Sequence, residues 1–284
     1  MDYIMKGILF DEAIYRIDPN KWLISEKLDG QRCLYIRESG KFYSSLRHEI
    51  FVPDWWRAEV DKASADIPGD ILDGELWIGR KQFDKLRSIV SRTVNRLDEE
   101  WKQIKFVCFD VLPKTCMVSV WGSEYFGRPA RFRGYSDWLD RLLQARPLQN
   151  EKDNVIFSRI EMLATSNLGS LSLENILEDL VAKGAEGLIL RDSKQTWIPK
   201  RGPWIMKLKP LIPVRAWVVS IEPGLRRGAI WVQGTSEAWD GMKVFKVGTG
   251  LTDEQFASLV VGQEVSVGFR ELSKDNVPKE SRFI

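Results

Sequence analysis

The chain has 284 residues, of which 42 are Lys or Arg, 40 are Asp or Glu and one is His, so its formal net charge is +2. This length suits one large domain or two ordinary ones, and a near-neutral charge identifies no partner. The single histidine, His48, and three scattered cysteines exclude a His–Cys zinc cluster, a disulfide framework and, without a GxSxG motif, a serine-hydrolase triad. We therefore expect any catalysis to depend on lysine, carboxylates and a metal ion.

The sequence also bears on location. It does not open with a basic segment followed by a long apolar run, and no apolar stretch approaches the roughly 20 residues that a membrane span requires. The cysteines form no CxxC pair, which suits a reducing compartment. These features predict a cytoplasmic protein without membrane association, with export of a trimmed form as the alternative.

The first 210 residues change periodicity often, which predicts a mixed α+β fold with antiparallel sheets and flanking helices. Residues 22–26 and 32–37 flank a Lys-Leu-Asp-Gly segment and are predicted to pair as two strands. Ser172 is a predicted helix cap, and Gly184 is the predicted end of the same helix. The other predicted strands are 71–78, Lys105–Leu112, 185–190 and 204–208, and the predicted helices are 81–92, 135–143 and 173–183.

After Pro210 the sequence changes to short β-rich runs separated by Gly-rich turns. Four or five short strands within about 70 residues predict a small barrel, most simply an oligonucleotide-binding (OB) fold. We therefore expect two domains, 1–211 and 212–284, with Pro210 and Pro213 on either side of the boundary. The predicted strands of the second domain are 216–221, 229–233, 244–247 and Glu264–Phe269.

A series of charged motifs carries the candidate chemistry. The first is Glu-Lys-Leu-Asp-Gly-Gln-Arg at residues 26–32, and Lys-x-Asp-Gly taken alone is typical of a surface hairpin turn. Each later motif taken alone is typical of a solvated strand end, whereas all five in this order match one known scheme. The later motifs are Asp73-Gly74-Glu75, Phe109-Asp110, Glu186-Gly187 and Lys207-Leu208-Lys209.

The order of these motifs resembles the covalent nucleotidyltransferase superfamily, specifically the small ATP-dependent DNA ligases of bacteria and viruses. EKLDGQR resembles the nucleophile motif, LDGEL the second acidic element, KFVCFDVL motif III, EGLILR motif IV and IMKLKP motif V. The resemblance covers nearly the whole chain and implies an adenylation domain followed by an OB-fold domain. It implies a monomeric enzyme of DNA repair or replication that seals 5′-phosphate/3′-hydroxyl nicks in double-stranded DNA through a lysyl-AMP intermediate.

The resemblance also implies roles for individual residues. Lys27 is the catalytic nucleophile that takes AMP from ATP, and Phe109 stacks on the adenine, with an ordinary core position as its alternative. Lys207 and Lys209 alternate with Leu208, so on a strand both ammonium groups would point into one site and neutralise the triphosphate. The implied metal ligands are Glu186, Glu75 and Asp110, which suit Mg²⁺, with Mn²⁺ as a substitute. The implied nucleotide-binding residues are Glu26, Asp29, Gly30, Arg32, Glu75, Phe109, Lys207 and Lys209.

DNA contacts are expected from basic residues of the two domains. In the family, the strand after the nucleophile motif usually carries Ser-Arg-x-Gly, but Ser45 stands at the arginine position and Arg47 is the candidate replacement. Residues 194–204 combine cations with two tryptophans, which suits a loop that grips a nucleic-acid backbone. A solvated face is the alternative for each basic cluster. The predicted DNA-binding residues are Arg47, Lys194, Lys200, Arg201, Arg226 and Arg227.

Two alternatives remain at this stage. One is an RNA ligase or an mRNA-capping guanylyltransferase of the same superfamily, although the VFKVGTGLTDEQ and VGFREL segments resemble the DNA ligases more. The other is a non-catalytic OB-fold nucleic-acid-binding protein, which does not need the ordered motifs. Only 26 residues precede Lys27, which leads us to expect neither a separate N-terminal DNA-binding domain nor a nicotinamide-binding domain, and hence ATP as the nucleotide.

Overall fold

The computed structural model describes residues 4–10, 22–65, 69–93, 98–112, 155–157, 160–162, 172–192, 195, 199–224, 228–273 and 275–284. The chain divides into two units, Met1–Leu208 and Lys209–Ile284. The first unit therefore ends three residues before the boundary expected at residue 211. The predicted helix 135–143 lies outside the described residues.

The first unit contains strands and helices whose bounds follow in chain order. The strands are β1 (Lys6–Leu9), β2 (Trp22–Lys27), β3 (Gln31–Ile36), β4 (Lys41–Ser44), β5 (Glu49–Ile50), β6 (Ile71–Trp77), β7 (Lys105–Leu112), β8 (Val155–Phe157), β9 (Ile160–Met162), β10 (Gly187–Asp192) and β11 (Arg201–Leu208). The helices are α1 (Asp54–Ala63), α2 (Phe83–Val90) and α3 (Leu173–Ala182), with a 3-10 helix at Asp98–Gln103.

Within the described residues these strands form two sheets. One has five strands in the order β1-β11-β10-β2-β9, and the other has six in the order β5-β4-β3-β6-β7-β8. The predicted pairing of residues 22–26 with 32–37 is wrong, because β2 and β3 belong to different sheets. β2 pairs with β10 and β3 pairs with β6, so residues 28–30 carry the chain from one sheet to the other.

The six-stranded sheet packs its helices against one apolar face. Residues alternate between the two faces of a strand, and on this face Tyr35 and Leu76 are 1% and 0% exposed. The rings of Trp56 on α1 and Trp101 on the 3-10 helix meet edge to face with centroids 5.2 Å apart. The Trp56 indole also donates a hydrogen bond of 2.9 Å to the Ile104 carbonyl, so its burial leaves no donor unpaired.

A β-bulge interrupts the pairing of β6 with β7. Asp73 is opposite Asp110 and Gly74 is opposite Cys108, so Phe109 is an extra residue on β7. Because the extra residue shifts the alternation of side chains by one position, Cys108 contributes to the apolar core while Asp110 lies on the opposite face of the sheet. The bulge thus places the Phe109 ring and the adjacent Asp110 carboxylate in the same region of the sheet.

Backbone geometry sets the ends of two helices. Ser172 caps α3 by accepting a 3.3 Å hydrogen bond from the Asn175 amide, and Gly184 follows the helix with φ +87°, so both sequence predictions are confirmed. Helix α2 is shorter than the predicted 81–92, because Lys81 has φ +58° and cannot begin a right-handed helix.

The second unit consists mainly of one antiparallel sheet. Its elements are β12 (Ile212–Glu222), β13 (Ala229–Ser236), β14 (Trp239–Val247), α4 (Asp253–Ser258), β15 (Glu264–Phe269), β16 (Glu271–Leu272), β17 (Pro278–Lys279) and β18 (Arg282–Phe283). Among the described residues, five of the strands pair in the order β14-β13-β12-β15-β18. The four predicted strands are therefore present, three of them longer than predicted. Pro213 lies within β12 opposite Gly268, rather than in a linker.

The two edges of this sheet approach one another. The Phe283 amide on β18 donates a 2.9 Å hydrogen bond to the carbonyl of Thr249, which follows β14 by two residues. Val214, Ala216 and Val218 alternate along β12 and are buried inside the curved sheet. Across the described part of the chain, no helix combines the length and the apolarity needed to span a membrane.

Candidate active site

Lys27 lies at the end of β2, where pairing with β10 sets its neighbours. Lys27 is opposite Gly187, which places it beside Glu186, the residue before β10. The Lys27 ammonium group and a Glu186 carboxylate oxygen form an ion pair in which the two side chains are 16% and 21% exposed. The lysine is therefore held by the carboxylate while its side chain remains partly exposed.

A cavity of about 390 Å³ adjoins Lys27 in the first unit. This volume is within the range of roughly 300–1,000 Å³ that is usual for small-molecule sites. Cations outnumber carboxylates among the described residues that line it, so the cavity favours an anionic ligand. The charged lining residues are Lys6, Lys27, Arg32, Arg191, Arg201 and Lys207, with Glu26 and Glu75.

The ring of Phe109 lines the same cavity and is flanked by two arginines. The guanidinium carbons of Arg32 and Arg191 lie 4.4 and 5.4 Å from the ring centroid, within the range of cation–π contact. Asp73 accepts two hydrogen bonds from Arg32, at 2.6 and 2.5 Å, and Asp110 accepts one from Arg191 at 2.7 Å. Buried carboxylates thus hold both arginines beside the ring.

Burial changes the protonation of two carboxylates at the site. It raises the pKa of Glu75 to about 7, against the opposing effects of Arg32 and Lys27 and with support from nearby Asp73 and Glu186. Burial likewise raises the pKa of Asp110 to about 6, although Arg191 acts in the opposite direction. A bound cation would lower both values by favouring the ionised carboxylates.

The donor set limits how a metal ion would be held. Within the described residues, no three His, Cys, Asp or Glu side chains converge as a metal-binding group. Mg²⁺ requires only one or two protein carboxylates when phosphates and waters complete its coordination. Glu75 lines the cavity and interacts electrostatically with Glu186, so these two fit that requirement. Both Asp110 oxygens already accept hydrogen bonds, from Arg191 and from the Val111 amide at 2.9 Å.

Gly30 allows the segment after Lys27 to approach β6. A Cβ atom at residue 30 would lie 2.4 Å from the Leu76 carbonyl oxygen and 2.5 Å from Cγ of Glu75. Any side chain there would push the segment away from the strand that carries Glu75. The motif therefore requires glycine for close packing of the segment after Lys27 against β6.

Comparison with known proteins identifies the family. Residues 8–209 match the family model described as the ATP dependent DNA ligase domain. The chain belongs to this family. A search of curated proteins found no match.

Solved structures agree with the family in fold. A structure titled "DNA binding with a minimal scaffold: Structure-function analysis of Lig E DNA ligases" matches with a TM-score of 0.66 and 23% identity, covering 100% of this chain and 98% of that one. The structure named Pmar-Lig_PreS3 matches with a TM-score of 0.67 and 22% identity, covering 99% of this chain and 66% of that one. The ATP complex of the ATP-dependent DNA ligase from bacteriophage T7 matches with a TM-score of 0.50 and 14% identity, covering 99% and 98%.

The structure gathers most of the nucleotide-binding residues suggested by the family resemblance around one cavity. Of that set, the described lining residues include Glu26, Arg32, Glu75, Phe109 and Lys207, and the predicted nucleophile Lys27 lines the same cavity.

Lys209 departs from the expectation that it shares a strand and a site with Lys207. β11 ends at Leu208, and Lys209 is assigned to the second unit. There its ammonium group donates hydrogen bonds of 3.1 Å to Glu271 and 3.3 Å to Glu280. Lys209 is not among the described residues that line the cavity. The predicted alternation of side chains holds as far as Leu208, where β11 ends. The sequence pattern does not indicate the residue at which strand pairing stops.

The predicted DNA-binding residues lie in several places. Arg47 is exposed in the turn between β4 and β5 with φ +66°, whereas Ser45 lines the cavity. Lys200 is exposed, and Arg201 lines the cavity and donates a 2.9 Å hydrogen bond to the Gly7 carbonyl. The remaining predictions, Lys194, Arg226 and Arg227, lie outside the described residues.

Sequence reasoning missed two cations of the cavity. Arg191 ends the EGLILR motif, and its alternation with Ile189 on β10 could have indicated that both face the same side. Lys6 lies on β1, which pairs in parallel with β11. The segment around Lys6 contains none of the family motifs. Its strand pairs with β11, nearly 200 residues later in the chain, and no local sequence pattern indicates such a pairing.

Proposed function

We propose that this chain is an ATP-dependent polydeoxyribonucleotide ligase that seals 5′-phosphate/3′-hydroxyl nicks in duplex DNA. The observation that carries the proposal is the Lys27–Glu186 ion pair at the edge of a cavity rich in cations. A lysine with only a structural role does not require an adjacent cavity lined by cations. A lysine that attacks an anionic nucleoside triphosphate requires one.

In the first step, the Lys27 ammonium group releases a proton to solvent, and the resulting amine attacks the α-phosphorus of ATP. A nitrogen–phosphorus bond forms, the bond to the bridging oxygen of pyrophosphate breaks, and pyrophosphate leaves with the electron pair. Glu186 keeps the lysine side chain in place, and Gly30 keeps the segment after Lys27 close to Glu75. Such fixed geometry avoids the entropic cost of aligning the reactants.

The remaining charges stabilise the phosphates. Lys207 lines the cavity and Arg32 is held by Asp73, so both cations are in position before ATP binds. Glu75 and Glu186 are the proposed ligands of Mg²⁺, or Mn²⁺ in its place, which would neutralise phosphate charge when bound. Asp110 would act indirectly, by orienting Arg191 next to the Phe109 ring.

The later steps transfer the AMP group to DNA and release it. An oxygen of the 5′-phosphate attacks the AMP phosphorus, the bond to the Lys27 nitrogen breaks, and the amine is regenerated. The 3′-hydroxyl then attacks the 5′-phosphorus, loses its proton and expels AMP. Lys27 is the nucleophile of the first step only, which makes the steps separable by experiment.

We also propose that the second unit is an OB-fold barrel. The hydrogen bond from Phe283 to Thr249 links the two edges of its sheet, as expected when a small sheet closes. Lys200 and Arg201 on the first unit remain proposed contacts to the DNA backbone, and we expect the enzyme to act as a monomer.

The test separates this function from its alternatives. The wild-type chain is incubated with Mg²⁺ and α-labelled ATP or GTP, and then supplied with nicked DNA or nicked RNA. We expect a covalent adduct with ATP only and sealing of DNA only. Labelling by GTP would indicate a capping enzyme, preferential sealing of RNA would indicate an RNA ligase, and binding without any adduct would contradict the enzymatic proposal.

Two variants assign the nucleophile. Lys27→Ala should abolish the adduct, whereas Lys85→Ala, which removes an exposed lysine from α2, should leave its formation unchanged. An adduct of normal yield in Lys27→Ala would show that another residue is the nucleophile.

A further inference from the structure

Arg80 makes three hydrogen bonds next to the active site that the family motifs do not include. Its Nε and Nη2 atoms donate to the two oxygens of Glu26 at 2.8 and 2.9 Å. Its Nη1 atom donates to the Lys183 carbonyl at 2.7 Å. The residue lies between β6 and α2, so its side chain joins three separate segments of the first unit.

These segments carry both partners of the Lys27–Glu186 ion pair. Glu26 immediately precedes Lys27 on β2, and Lys183 is the C-terminal cap of α3, three residues before Glu186. One guanidinium group therefore holds the segment of the nucleophile and the segment of its carboxylate partner at a fixed separation. The ladder between β2 and β10 constrains the same pair from the other side, with Lys27 opposite Gly187.

The backbone around Arg80 turns sharply and places its side chain beside the end of α3. Gly79 and Lys81 on either side of Arg80 have φ +128° and +58°, which turns the chain sharply. Gly184 after α3 has φ +87°, and a Cβ atom at this position would lie 3.8 Å from Cδ of Arg80. The turn and the helix end therefore pack directly against the arginine side chain.

An arginine is required because the contacts are planar and divided between two acceptors. Its rigid guanidinium group can bind both carboxylate oxygens and still present a third donor to a carbonyl. The Arg80 and Glu26 side chains are 32% and 24% exposed, so solvent screens the pair only in part. A lysine at this position could bond one oxygen of Glu26 but could not reproduce all three bonds.

We infer that Arg80 is a positioning residue for the adenylation step, because it fixes Lys27 relative to Glu186. This inference rests on the proposed ligase function, and it assigns to that function a residue outside the motifs. Arg80 is not among the described residues that line the cavity, so it would act through Glu26 and the end of α3. Its loss should therefore affect the step in which Lys27 attacks, and not the final sealing step.

The experiment measures the two steps separately in Arg80→Ala and Arg80→Lys. The first assay follows single-turnover formation of the labelled adduct over a range of ATP concentrations. The second follows sealing of a nick whose 5′-end is already adenylated. Arg92→Ala is the matched control, because Arg92 pairs with Glu100 at a similar exposure, 36% and 30%, and neither is among the described residues that line the cavity.

Arg80→Ala should lower the maximal rate of adduct formation about 100-fold, the loss that misplacement of a reacting group by about an ångström can cause. The ATP concentration at half-maximal rate and the rate of sealing the adenylated nick should stay within about threefold of wild type. Arg80→Lys should recover part of the adduct rate, because one bond to Glu26 remains. Arg92→Ala should match wild type in both assays.

Each other outcome overturns the inference. Equal losses in both assays would mean that Arg80 supports the fold in general, and an unchanged adduct rate would mean that the contacts have no effect on the chemistry. If Arg80→Ala does not fold, a normal maximal rate in folded Arg80→Lys would overturn it equally. A wild-type chain that forms no adduct would instead overturn the proposed function, and the inference with it.

Discussion

The two faces of the six-stranded sheet differ in what their side chains do. On the face toward the helices, Tyr35, Leu76 and Phe106 belong to a buried apolar cluster. On the other face, Arg32 pairs with Asp73 between the same strands. Because strand residues alternate between faces, one short stretch of sequence builds a core and a charged site at once.

This difference predicts different consequences of mutation. The apolar face contributes through buried area and close packing, so loss of volume there should reduce stability. The charged residues of the other face contribute through hydrogen bonds among groups that are costly to bury, so changes to them should affect chemistry more than stability. The four predictions below run from the largest expected effect to the smallest.

Leu76→Ala tests the apolar face. Leu76 is 0% exposed, and its truncation should lower the free energy of unfolding by about 2–5 kcal/mol. Leu46→Ala is the matched control, because Leu46 is 70% exposed and should lose no more than about 0.5 kcal/mol. Urea unfolding measures both, and equal losses in the two variants would contradict the assignment of the core.

Asp73→Asn tests the charged face at the carboxylate that holds Arg32. The asparagine keeps the shape but loses the charge and one acceptor of the paired hydrogen bonds, which should cost about 1–3 kcal/mol. Adduct formation should fall at least about tenfold, because Arg32 is no longer fixed beside the cavity. An unchanged adduct rate in a destabilised variant would show that this pair serves only the fold.

Glu75→Gln tests the raised pKa of this half-buried carboxyl in protein free of nucleotide and metal. Burial raises the folded-state pKa from 4.5 to about 7, so the native state retains a proton that the unfolded chain releases. Stability should therefore fall as pH rises from about 4.5 to about 7, and the cost is complete above that range.

The glutamine cannot ionise, so Glu75→Gln should gain about 1–2 kcal/mol relative to wild type between pH 4.5 and pH 8. Chemical unfolding at several pH values measures this difference. A difference between the two proteins that does not change with pH would contradict the raised pKa.

Lys200→Ala tests an exposed cation proposed to contact DNA. We expect unchanged stability and a reduction of about 0.9 in the slope of log affinity against log salt, the value for one lost phosphate contact. Binding to nicked duplex at several salt concentrations measures the slope. Lys62→Ala, an exposed lysine in the last turn of α1, serves as the control and should keep the wild-type slope.

Much of the fold followed from local pattern. Lys105–Leu112 and Glu264–Phe269 were predicted with their observed bounds, because a continuous or alternating β-rich run leaves little choice of conformation. The false pairing of β2 with β3 shows the limit of this reasoning. A Lys-Leu-Asp-Gly turn permits a hairpin, but β2 pairs with β10 and β3 with β6, and a turn motif does not indicate such distant partners.

The candidate site likewise contains residues that the sequence pattern identified and features that it did not. Motif order was sufficient to select Lys27, Glu75, Phe109 and Lys207, all of which line the cavity. The Phe109 bulge, the bonds of Lys209 and the three bonds of Arg80 depend on register and on contacts between distant segments, which a sequence pattern does not specify.

The central claim is that Lys27 carries AMP from ATP to the end of a nick. The most direct measurement is a pulse of labelled ATP with Mg²⁺, a chase with nicked duplex, and mass spectrometry of the modified peptide before and after the chase. The account predicts AMP on Lys27 after the pulse, followed by its loss as adenylated and then sealed DNA appears. AMP on another residue, or a Lys27 adduct that the nicked DNA does not discharge, would contradict it.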